Sequence, residues 1–192
     1  MNNLAIVGFP QATLTRDFYN LTSTTHNVSI IHPDEFLTGR HPSDCEFLIS
    51  VTRDKSLRQL LVDYLDQHKL PRATYIHPSA VVDQQAVISP GSVICPFASV
   101  FNQAVVEKDC VLGPYSMISH NSTIGQGSIV HPGVLIAGST QIGRYCLLGI
   151  RSTVLDKLKI CDDVVIGAGS LVTKNISTPG NYVGSPARRA MS

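Results

Sequence analysis

Every sixth residue from Ile76 to Val172 is aliphatic, and no other feature of the chain limits its fold so strongly. The series runs Ile76, Val82, Ile88, Ile94, Val100, Val106, Leu112, Ile118, Ile124, Val130, Ile136, Ile142, Leu148, Val154, Ile160, Ile166, Val172, with no slip of phase. Two residues before each stands a small or short side chain, from Thr74 and Ala80 through to Ser170, with Leu158 the exception. This period is neither the 3.6 of an α-helix nor the simple alternation of a strand. It is the hexapeptide repeat of a parallel β-helix, in which six residues supply one short strand and one corner. Three hexapeptides close a triangular coil, with the aliphatic and the small residue both turned inward. The stretch has room for about five and a half coils, stacked at roughly 4.8 Å.

The flanks break the rule. Residues 1–72 read as a small α/β (Rossmann-like) domain. Leu4–Phe9, Val28–His32 and Glu46–Val51 are strands; Ala12–Leu21 and Asp54–Lys69 are helices. In the second helix Leu57, Leu60, Leu61, Tyr64 and Leu65 fall on one face, and Asp54 is placed to cap it. The first turn, Gly8-Phe9-Pro10-Gln11-Ala12, has one glycine and a proline, a poor phosphate cradle. Residues 73–175 form the β-helix. Residues 176–192, rich in proline and glycine, form a tail that caps its open end, where strand edges would otherwise be unpaired. The fold class is thus mainly β, a parallel β-helix after a small α/β domain.

The balance of 15 basic against 14 acidic residues argues against a broad nucleic-acid surface. No run of 18 apolar residues suggests a membrane span, and the opening lacks the basic region of a secretory signal. Five cysteines with no CxxC pair read as reduced thiols. Together these features point to a cytoplasmic protein.

The stretch Ile118-Ser-His-Asn-Ser-Thr-Ile-Gly-Gln-Gly-Ser-Ile-Val-His-Pro-Gly133 resembles the histidine-bearing hexapeptides of sialic acid O-acetyltransferases and bacterial UDP-amino-sugar N-acetyltransferases. Ile142–Ile150 and Val165–Lys174 resemble their coenzyme-A coils, and Gly184-Ser-Pro-Ala-Arg188 their C-terminal signature. The resemblance implies a left-handed β-helix, a homotrimer with each active site between subunits, and acetyl-CoA as acyl donor. It implies a sugar or nucleotide-sugar acceptor, acetylated on N or O in bacterial surface-glycan biosynthesis by direct transfer in a ternary complex. By the same resemblance His120 is the general base, a task suited to imidazole near neutral pH.

One coil beyond His120 the column arithmetic finds Gly138, whose N–H is a candidate donor to the oxyanion of the thioester. Asn121 stands where several relatives carry an acid; it can orient the imidazole but not balance its charge. Gly113, His131, Gly149 and Gly167 share one corner. They read either as a bare groove for a pantetheine arm or as corners that simply favour glycine. Gly138, Gly149, Ile150, Gly167 and Ala168 are the expected coenzyme contacts, with Arg188 for a phosphate. His131 is either a second active-site histidine or a corner filler. No metal is expected, since His77, His120 and His131 share no column. Two rival functions remain at this stage, a non-catalytic scaffold and an amino-acid acetyltransferase.

Overall fold

The computed structural model describes residues 3–23 and 26–190. It divides into two compact units, one ending at Tyr75 and one beginning at Ile76.

The first unit is built on three parallel strands, β1 (Asn3–Val7), β2 (Asn27–Ile31) and β3 (Glu46–Ile49), in the order β2-β1-β3. Three helices alternate with them: α1 (Thr13–Thr22), α2 (Pro33–Leu37) and α3 (Lys55–Gln67). Central β1 is apolar and buried from Leu4 to Val7, as expected of a strand covered on both faces. The residues alone predict no helix between Val28–His32 and Glu46–Val51, where Pro33 follows the strand. In the structure that proline opens a helix, where a missing N–H costs nothing, and His32 Nδ1 accepts from Asp34 N at 3.3 Å. Asp54 does cap α3, its Oδ1 accepting from Leu57 N at 2.9 Å. The buried face of α3 is turned by one residue from the expected stripe. Arg58, Leu61, Val62 and Leu65 face inward, while Leu60 is 58% exposed. Arg58 is buried because its Nη1 donates to the carbonyls of Ile49 and Val51 at 3.3 and 2.9 Å, at and beyond the end of β3.

The second unit is a β-solenoid of parallel two-residue strands on three faces, of eight, six and five strands. Register advances one coil per 18 residues: Val111 pairs with Ile129 and Leu112 with Val130. From Ile94 to Val172 every member of the aliphatic series is buried. Ile76, on the first coil, is 43% exposed, and Val82 and Ile88 are half-buried. From Gly91 to Gly169 the corners carry a residue in the left-handed region, with φ between 52° and 83° at every sixth position. Beyond Val172 the winding shortens. Ile176 bridges Ile160, and Tyr182 pairs with Ile166, each 16 positions on. Gly180–Val183 thereby extends the eight-stranded face, and Arg188–Arg189 folds back on it antiparallel.

Small inward residues tie coil to coil. Ser122 Oγ donates to Ala137 O at 3.0 Å and accepts from Thr140 N at 3.1 Å. Ser92 and Ser128 repeat the pattern. The thiols of Cys110 and Cys146 substitute for hydroxyls, donating to Gly125 O at 3.2 Å and Cys161 O at 3.3 Å. All five cysteines are thiols, with no disulfide among the described residues.

Candidate active site

His120 and Gly138 lie one above the other on the corner between the six-stranded and five-stranded faces. Their carbonyls tie each coil to the next: Ser139 N donates to His120 O at 2.8 Å, and Lys157 N donates to Gly138 O at 3.0 Å. The His120 ring is folded over the α-carbon of Gly138. A Cβ added there would lie 2.5 Å from His120 Cε1 and 2.6 Å from Nε2. Any side chain at 138 would push the ring away, so the glycine is the seat of the imidazole. Gly138 N–H has no hydrogen-bond partner among the described residues. It is a free donor one coil from an exposed imidazole, the pairing that base-assisted acyl transfer requires.

Asn121 follows His120 at the corner, with φ of 57°. Asparagine is among the few side chains that adopt this conformation readily. Its amide nitrogen Nδ2 stands 3.5 Å from His120 Nδ1. The amide oxygen and nitrogen exchange places by rotation about χ2. With the oxygen toward the ring, Asn121 accepts from Nδ1–H and leaves the lone pair on Nε2, the nitrogen over Gly138.

Apart from Gly138, the expected coenzyme contacts lie elsewhere. Ile150 is 52% exposed and Ala168 is exposed, both on the corner between the eight-stranded and six-stranded faces. A Cβ added to Gly149 would lie 2.6 Å from Ala168 N and 2.7 Å from Ile166 O. One added to Gly113 would lie 2.7 Å from Pro132 N. Their bareness is used by the backbone of the next coil. At Gly167 the space belongs to Val183 Cγ1, 2.8 Å away. Arg188 is exposed and its Nη1 donates to Ala187 O at 2.9 Å. The structure therefore brings His120, Asn121 and Gly138 together. The width of one face, about 15–20 Å for six extended residues, separates them from Ile150 and Ala168 within the chain.

The five-stranded face carries a hollow of about 730 Å³ whose lining includes Glu107, Gln141, Arg144, Lys159 and Cys161, but not His120. Arg144 Nε and Asp162 Oδ2 are 3.3 Å apart at its edge. Burial pushes the Cys161 thiol above its ordinary range, and Asp162 and Asp163 add to the effect against its own backbone hydrogen bond. That keeps it protonated and a weak nucleophile. No group of three His, Cys, Asp or Glu able to hold a metal occurs among the described residues. Nor is any described helix long and apolar enough to cross a membrane.

These features define a hexapeptide-repeat β-helix with a histidine-over-glycine corner. Residues 103–138 match the family described as bacterial transferase hexapeptide (six repeats). Residues 139–174 match the hexapeptide repeat of succinyl-transferase. Among solved structures, the chain is similar to the acetyltransferase domain of PglB from Neisseria gonorrhoeae FA1090, at 18% identity and a TM-score of 0.90, over 99% of this chain and 100% of that one. It is similar to PerB from Caulobacter crescentus, solved in complex with CoA and GDP-perosamine, at 18% identity and a TM-score of 0.81, over 100% and 98%. It is also similar to WeeI from Acinetobacter baumannii AYE, at 16% identity and a TM-score of 0.69, over 99% and 100%. The likeness is one of fold, and it extends over the whole chain.

Proposed function

We propose that this chain is an acetyl-CoA-dependent acetyltransferase acting on a sugar or nucleotide-linked amino sugar. The observation that carries the reading is the His120 ring seated on Gly138, whose N–H is unbonded among the described residues. The family matches over 103–174 support it. So do the fold neighbours, one solved with acetyl coenzyme A and one with CoA and GDP-perosamine.

His120 Nε2 takes the proton of the acceptor amine or hydroxyl as that atom attacks the thioester carbonyl. Gly138 N–H donates to the oxygen as it gains charge. When the carbonyl re-forms, the sulfur leaves with the proton that His120 held. Asn121 fixes the tautomer through Nδ1 and is a positioning residue. The exposed corner at Ile150 and Ala168, with Gly167 and Gly149 beneath it, receives the coenzyme, and Arg188 meets a phosphate. That corner stands a face's width from His120 in one chain, so the complete site needs the His120 corner of one copy against the Ile150 corner of another. A homotrimer of prisms supplies this contact three times. The small α/β unit, in a Rossmann-like role, holds the acceptor.

The test is acetyl-CoA consumption, read as free thiol, against UDP- and GDP-linked amino sugars, sialic acids and plain sugars, with His120→Ala in parallel. Turnover abolished by the substitution supports the reading. No turnover together with no coenzyme-A binding sinks it in favour of a non-catalytic scaffold.

A further inference from the structure

The corner that carries His120 is polar in two different ways on the two sides of Gly138. Each coil contributes two neighbouring residues to its apex: Gln84-Gln85, Asn102-Gln103, His120-Asn121, Gly138-Ser139, Asp156-Lys157 and Lys174-Asn175. Beyond Gly138 the apex is charged, and Lys157 Nζ stands 3.9 Å from Asp156 Oδ2. Before His120 it is neutral. Two successive coils present carboxamides alone there, and Gln84, Gln85, Asn102 and Gln103 are all exposed. Their side chains have no hydrogen-bond partner among the described residues.

The backbone fixes where these carboxamides stand. Gln85 N donates to Asp83 Oδ1 at 2.8 Å, and Asn121 N donates to Asn102 O at 3.0 Å. Gln103 and Asn121 share the left-handed corner conformation, with φ of 56° and 57°. Asn102 is thereby one coil, roughly 4.8 Å, from His120. Immediately before it stands Phe101, an aromatic ring that is 40% exposed. The same position of the next two coils holds Ser119 and Ala137. A carboxamide donates and accepts at once, as a hydroxyl does, so the two pair readily. The face of an aromatic ring carries negative partial charge and suits the apolar, weakly positive C–H groups of a sugar. The residues at this corner of the two coils, 83–86 and 101–104, include no cation to hold a phosphate.

Under the transferase reading the coenzyme takes the other side of Gly138. Its further contacts, from Gly149 to Ala168, follow Gly138 in a solenoid that advances one coil per 18 residues. A rotation about an axis parallel to the solenoid keeps them at that level in a neighbouring copy. The acceptor is then left the coils that precede His120. We infer that Phe101, Asn102 and Gln103 are the specificity-determining residues for the sugar portion of the acceptor. The two carboxamides bind its hydroxyls, the Phe101 ring takes its C–H face, and the reacting amine or hydroxyl lies at His120 Nε2. Gln84 and Gln85 continue the neutral strip by one coil. The inference rests on the transferase reading for the reaction. It is tested by sugar binding, so that its failure and a failure of catalysis are told apart.

The probes are glucosamine and UDP- and GDP-linked amino sugars, with UDP and GDP as sugar-free controls, titrated into the full chain saturated with coenzyme A. The side-chain amide signals of Asn102 and Gln103 are followed by NMR and assigned from Asn102→Ala and Gln103→Gly. Glycine suits the left-handed backbone at 103. Expected are shifts of both signals with a sugar-bearing probe and none with UDP, GDP or coenzyme A alone. Each variant should bind that probe roughly threefold to tenfold more weakly, as loss of one uncharged hydrogen bond predicts. Phe101→Leu should weaken it by a similar factor. Coenzyme-A affinity should stay unchanged and no variant should melt earlier. Shifts without turnover would uphold the sugar site and count against catalysis. Turnover with both signals unmoved, shifts produced by coenzyme A or a sugar-free nucleotide, or no shift with any sugar-bearing probe would overturn the inference.

Discussion

Gly138 and Gly149 stand on different corners of one solenoid, and both are glycine because a Cβ would collide. The atoms in the way are not the same. At Gly138 they belong to a side chain, the exposed ring of His120; at Gly149 they are the backbone of the next coil, Ala168 N and Ile166 O. The first glycine makes room for chemistry and the second for coil packing. The inward neighbours differ as well. Beside His120, Ser122 Oγ bridges two coils through Ala137 O and Thr140 N. Beside Tyr115, the amide of Ser116 turns to Gly113 O in its own coil, and the buried Ser116 Oγ finds no partner.

The sharpest division comes from removing the imidazole. His120→Ala should lower turnover by about 10²–10⁴-fold, the range for a lost general base. Unfolding stability should change by less than about 0.5 kcal/mol, since the ring is exposed. Gly138→Ala comes next. It displaces the His120 ring, and a displacement near 1 Å costs about 10²-fold in turnover while the fold survives, because a side chain can yield. Paired kinetics and thermal melts would show both effects. Gly149→Ala should reverse the pattern, with a stability loss of about 1–3 kcal/mol, because two coils must move apart. A melt of Gly149→Ala that matches the unsubstituted protein would erase the contrast between the two corners. The smallest effect lies inward, at Ser116. Ser122→Ala leaves a buried amide and carbonyl without their bridge, at about 1–3 kcal/mol, whereas Ser116→Ala should be neutral within about 0.5 kcal/mol. Urea unfolding of the pair measures the difference directly.

Much of this was legible in the residues. The six-residue period placed the strands, the inward column and the register of His120 over Gly138, because a coil of fixed length turns sequence separation into spatial position. The same arithmetic set Gly149 and Gly167 in a groove, and there it could not separate a space left for a ligand from one filled by the next coil. The left-handed corners also have a period of six. They leave no compositional mark, because Phe97, Tyr115, Tyr145, Arg151 and Lys157 occupy as many of them as glycine and asparagine together. In the α/β unit, propensity erred where a tertiary contact decided the outcome. Arg58 turned inward to reach the carbonyls of Ile49 and Val51, and Leu60 was left outside.

The central claim is that the His120–Gly138 corner transfers an acyl group. The most direct measurement is acetyl-CoA-dependent thiol release with nucleotide-linked amino sugars, comparing the unsubstituted chain, His120→Ala and Gly138→Ala with folding verified by circular dichroism. The account predicts turnover in the first, a rate about 10²–10⁴-fold lower in the second and one about a hundredfold lower in the third. Undiminished turnover in folded His120→Ala would contradict it.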